Sequence, residues 1–149
     1  MITMGKPTGK VHWSILLFIA LVAMFAVMAL TPTISAMRRP PYETKALRFM
    51  EHLRRNEFDQ ATKLLDLQSV PKEKHDPKKV LEERMPIWGV IEKVSLVDTI
   101  ENPADLKHPK AAEGVRVDLH LRCYLSQGSA SVYLVPQGNE WVIVDYLLQ

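Results

Sequence analysis

A single cysteine, Cys123, stands in this chain of 149 residues. It has no partner for an internal disulfide, and a lone thiol is compatible with a reducing compartment or with burial in an oxidising one. On the apolar side of an alternating segment, it reads as a core thiol rather than a nucleophile. A dominant charge is also lacking. Nineteen Lys and Arg against 17 Asp and Glu leave a net charge of +2, without the basic surplus that holds nucleic acid. No nucleic-acid partner is therefore expected. The histidines, His12, His52, His75, His108 and His120, are scattered over different segments. No pair has helical spacing with an acidic partner, so neither a metal nor a cofactor is expected. No Ser-His-Asp or Cys-His spacing stands out, and the chain is expected not to be an enzyme.

Charge is missing altogether from Trp13 to Leu30, where Ser14 is the one polar side chain. Eighteen helical residues rise about 27 Å, close to the roughly 30 Å hydrocarbon thickness of a bilayer. A helix in water would carry a polar stripe, and this run has none. The sequence thus predicts a transmembrane helix over 11–33, in contact with membrane lipid, behind a short tail at 1–10. Trp13 suits the headgroup boundary, and Pro32 marks the exit. A cleavable signal peptide is the competing reading, with Lys6 and Lys10 before the run and Thr33-Ile34-Ser35-Ala36 after it. The apolar run is longer than the roughly 7–15 residues of such a signal, and Ile34 is not small, so an uncleaved anchor is expected.

A plain count of Arg38, Arg39, Lys45 and Arg48 against Lys6 and Lys10 favours a cytoplasmic domain. Lys10, however, abuts the apolar run, and the short tail holds nothing to export. The expectation is a single-pass signal-anchor in the inner membrane with its domain outside the cytoplasm. Arg38-Arg39-Pro40-Pro41 closes a stiff linker over 34–41, its arginines against lipid phosphates. The four lysines between Lys72 and Lys79 read as a solvated run, with anionic lipid as the alternative contact.

The rest, 42–149, changes period halfway. Ala46, Phe49, Met50 and Leu53 share one face of a helix over 42–56, which Asn56 or Glu57 breaks. Phe58, Ala61, Leu64 and Leu65 define a second helix. Asp76-Pro77 is an N-cap followed by proline at the first helical position, opening a third helix that ends before Pro86. Strands follow at 89–100, 115–125, 130–136 and 140–148, separated by a polar loop at 101–114 and two tight turns. Connections this short exclude parallel crossovers. The predicted fold is therefore α+β: helices packed on one face of a curved four-stranded antiparallel sheet.

Two stretches give this order a familiar look: 49–61, a long helix followed by charged residue, aromatic and alanine, and the ending Gly138-Asn139-Glu140-Trp141-Val142-Ile143-Val144-Asp145. Together with the element order they resemble the nuclear-transport-factor-2-like (cystatin-like) superfamily over 42–148. The resemblance implies a cone between sheet and helices. That superfamily includes isomerases, dehydratases, ligand binders and pure interaction modules, so the fold leaves the function open. Its enzymes place an acid inside the cone. Asp145, expected on one face with Trp141, Ile143 and Leu147, is the candidate for such a pocket, though a structural aspartate is the preferred reading. Asp118 and His120, flanked by Arg116 and Arg122, read as a solvated face with cross-strand charge pairs.

Strict alternation makes the last strand apolar on both sides, with Val142, Val144 and Tyr146 opposite Trp141 and Ile143. Tyr133 joins them from the preceding strand. One layer of helices covers one face, so these four side chains are the expected interface for a larger membrane protein complex or a homodimer. Together these features predict a non-enzymatic, membrane-anchored interaction module, an accessory or assembly subunit; the alternative is a small-molecule-binding or isomerase-like domain.

Overall fold

The computed structural model describes residues 17–24 and 39–149. It divides into two units at Arg39/Pro40. In the first unit, residues 17–24 form a helix, α1, whose eight residues are all exposed. Among the described residues, no helix is long and apolar enough to cross a membrane. The expected span at 11–33 falls mostly outside them, as do the tail and Trp13 and Arg38.

The second unit, Pro40–Gln149, is α+β. Its helices are α2 (Pro41–Arg54), α3 (Phe58–Thr62), α4 (Pro77–Glu82) and α5 (Met85–Trp88). The strands β1 (Ile91–Glu101), β2 (Val115–Cys123), β3 (Gln127–Gln137) and β4 (Glu140–Leu148) form one antiparallel sheet in sequence order. Ala46, Phe49, Met50 and Leu53 are the buried stripe of α2, as the helical spacing requires. Asn56 takes a positive φ of 59° and stops the helix. The Asp76 carboxylate caps α4 by accepting the Lys78 and Lys79 N–H groups at 3.1 and 3.4 Å. Pro86 does not end the helical region. It sits in the first turn of α5, where a missing N–H costs nothing.

Alternation along β2 is regular, with Val117, Leu119 and Leu121 at 0–1% exposure under the helices. Alternation along β4 is not. Tyr133 pairs with Asp145 and Leu134 with Ile143, which leaves Val144 as an extra residue, a β-bulge. A single inserted residue reverses every side chain beyond it. Trp141 and Ile143 therefore face the helices before the bulge, and Tyr146 and Leu148 face them after it. Tyr146 is fully buried, 5.0 Å from the Phe49 ring, and its hydroxyl donates to the Lys74 carbonyl at 2.9 Å. Its expected place in an open interface is corrected: it is core.

The other side of the sheet is not left open at this corner. The β1–β2 connection folds back over it, and Leu106 and Ala111 pack on Tyr133, Val135, Val142 and Val144. Tyr133 retains 8% exposure and Val144 3%. The free apolar face expected from one layer of helices is thus covered by the chain itself. The outer edge of β4 is occupied too, since the Asp66 N–H donates to the Ile143 carbonyl at 2.8 Å. At the opposite edge β1 carries register shifts at Ile91/Lys93 and Leu96/Asp98.

One close approach depends on glycine. A Cβ on Gly128 would lie 2.7 Å from Trp88 Cε2, and Trp88 is a buried ring with little room to retreat. Gly128→Ala is expected to lower the unfolding free energy by about 1–3 kcal/mol, the usual cost of overpacking. Chemical denaturation checks it, and an unchanged midpoint would mean the ring moves freely.

Candidate functional site

The space between helices and sheet, where a catalytic acid was sought, is filled by side chains. Phe49, Met50 and Leu53 of α2 meet Leu134, Ile143 and Tyr146 of the sheet, all at 0% exposure. Trp141 lies at the rim of this core, edge-on to Tyr42 at 5.0 Å. The bulge turns Asp145 away from it, onto the face of Tyr133. The two pocket candidates therefore do not share a face. Asp145 Oδ1 accepts from Lys74 Nζ at 2.7 Å and from the Tyr146 N–H at 2.7 Å, while Lys74 Nζ lies 5.9 Å from the centre of the Tyr146 ring. That pair clips the segment after α3 to β4. Burial holds the Tyr146 hydroxyl well above the ordinary tyrosine range, so it stays protonated as the donor to Lys74.

Polar groups converge instead on the outer face. An open depression of about 390 Å³ is bordered by Asp105, Arg116, Asp118, His120, Ser131 and Tyr133. Arg116 bonds Asp105 at 3.1 Å and Asp118 at 3.1 Å, Ser131 donates to Asp118 at 2.7 Å, and Tyr133 donates to Asp105 at 2.5 Å. Sequence alternation already suggested charge pairing around Asp118. It gave no sign of Asp105, which reaches this face only because its loop folds back. Burial and the Asp105 carboxylate push Tyr133 up to about 12, so it stays a donor.

The Tyr133 hydroxyl, helped by Arg116, holds Asp105 below the usual carboxylate range. The folded chain therefore binds fewer protons here than the unfolded one. The contribution is complete above the unfolded value of roughly 3.9 and is lost as pH falls through the lower folded value. Asp105→Asn is expected to flatten the acid limb of a stability-versus-pH curve below about pH 4. Equal acid limbs in the two proteins would remove Asp105 from that role.

A second constellation escaped the sequence. Ser69 Oγ lies 2.7 Å from Asp66 Oδ2 and 3.3 Å from His108 Nε2. The order is wrong for nucleophilic catalysis. The Lys110 N–H donates to His108 Nδ1 at 3.1 Å, which in the neutral ring assigns the proton to Nε2, facing serine. The serine proton goes to Asp66, so the imidazole has no lone pair to offer it. These contacts tie the β1–β2 loop to the turn after α3. Among the described residues, no group of three or more His, Cys, Asp or Glu is placed to hold a metal ion. Cys123 is buried, and burial raises its thiol above the usual range, as for a core side chain.

Arg39 is exposed, and Trp13 and Arg38 lie outside the described residues. No protein-family model, curated protein or solved structure matches this chain.

Proposed function

We propose that this protein is a membrane-anchored, non-enzymatic interaction module, an accessory or assembly subunit of a membrane protein complex. The observation that carries the reading is α1. Leu17, Phe18, Ile19, Leu21, Val22 and Met24 are all 51–69% exposed, and Ala20 and Ala23 complete a helix with no polar side. Such a surface suits hydrocarbon and not water, and it lies within the uncharged run from Trp13 to Leu30. The anchor spans 11–33 in the inner membrane, and Pro40–Gln149 works outside the cytoplasm as a nuclear-transport-factor-2-like domain. A packed interior supports a binding role over an isomerase-like one, because a general acid needs a cavity at the core and Asp145 is engaged with Lys74 outside it.

Cell fractionation of the full-length chain tests this. It should remain in the membrane pellet through carbonate washing, dissolve in detergent, and migrate on native gels well above its own mass. Protease added to spheroplasts should reach the domain. A soluble, monomeric chain would overturn the reading.

A further inference from the structure

Large apolar side chains of the second unit are exposed together at one end of the sheet. Ile87 of α5, Val90 beside it, and Tyr124 and Leu125 of the β2–β3 turn are 63, 55, 73 and 62% exposed. They are presented rigidly. The Leu125 N–H donates to the Trp88 carbonyl at 2.9 Å, the Tyr124 N–H to the Val90 carbonyl at 3.0 Å, and the Ser126 hydroxyl to the Ile87 carbonyl at 3.2 Å. Trp88, folded over Gly128, anchors this turn in the core. The tip is also free of charge. No Asp, Glu, Lys, Arg or His occurs from Met85 to Ile91, and none from Tyr124 to Ala130. At its border, Glu92 and Arg122 neutralise each other at 3.3 Å.

We infer that this tip is a docking knob for a different protein that offers a concave, uncharged, apolar site. The inference rests on the interaction reading above and says where contact is made. Four side chains of this size expose on the order of 500 Å², as large as the biggest apolar patch on typical monomers, where such patches are often functional. It is below the roughly 800 Å² that each partner contributes to a standard interface. Two such tips meeting each other would form a poor dimer, whereas the same side chains set into a pocket make an anchor. A second copy offers no suitable pocket among the described residues, because the depressions on this domain are bordered by charged groups such as Asp105, Arg116, Lys79 and Glu83. An anionic lipid surface is disfavoured because neither stretch of the tip, 85–91 or 124–130, carries a Lys or Arg to meet a headgroup.

The test is photo-crosslinking in the native host, using full-length chain with a benzophenone amino acid in place of Tyr124 or Leu125. Exposed Asp59 serves as the control position. The expected result is one discrete protein adduct from both tip positions and none from the control. Peptide mapping should place its far end on apolar residues of another protein, and Val90→Asp should reduce it at least tenfold. An adduct of twice the chain's own mass, or with lipid, overturns the inference, as does no adduct at all. Native gels of the same extracts separate the two levels of the argument. A large complex that persists in Val90→Asp rejects the tip but keeps the interaction reading, and its absence from the unsubstituted protein rejects both.

Discussion

Tyr146→Ala is expected to remove about 4 kcal/mol of stability. The ring is fully buried against Phe49, and its hydroxyl bonds the Lys74 carbonyl, so truncation leaves both a cavity and an unpaired acceptor. Aromatic-to-alanine changes in cores cost about 3–5 kcal/mol. Domains of this size are stable by about 5–15 kcal/mol in all. Tyr146→Phe separates the parts: it keeps the packing and loses only the hydroxyl bond, worth about 1 kcal/mol. Denaturant melts of the three proteins measure this, and an alanine variant as stable as the parent would return Tyr146 to the surface.

The second large effect is expected at Val144. Beneath Leu106 and beside Tyr133, it lies in a small satellite core with 3% exposure. Val144→Lys places an ammonium group there. The long stem gives it a way out past Ser69 and Asp145, which border an adjoining depression of about 310 Å³, so the loss is expected at about 2–4 kcal/mol. The damage should be local. Amide exchange should accelerate in the β1–β2 loop over 102–114, while the amides of β2 keep their protection. Loss of protection across the whole sheet would mean the satellite core and the main core fold as one.

These two residues separate what the sequence contained from what it did not. Helix α2, its stripe of Ala46, Phe49, Met50 and Leu53, the Asp76 cap and the alternation of β2 all follow from local spacing, and so does the four-stranded antiparallel sheet. Tyr146 does not, because a bulge is a property of two strands: nothing in Ile143-Val144-Asp145-Tyr146 marks the residue that Tyr133 and Leu134 will leave unpaired. The cover over Tyr133 and Val144 was hidden for a related reason. A stretch rich in proline and charge reads as a loop, and its Leu106 is a single apolar residue without period. The Lys74–Asp145 pair joins positions 71 residues apart, and the Ser69–His108 contact joins positions 39 apart. Only the tertiary fold creates either. The exposed tip was not legible: alternation put Leu125 on the apolar face of a strand over 115–125, whereas β2 ends at Cys123 and Leu125 is exposed in the turn. Its meaning required knowing that α5 brings Ile87 alongside.

The two borders of the sheet differ, and the difference bears on crowding. At β4 the Asp66 N–H already fills a rung of the ladder at Ile143, so that side is partly capped by its own chain. At β1 the rungs are spoiled by two irregularities and by Glu92, Lys93 and Asp98, which an incoming strand would have to desolvate. Neither side accepts another sheet without distortion. Crowded copies would therefore resist zipping into fibrils, and association would be left to side chains that can let go again.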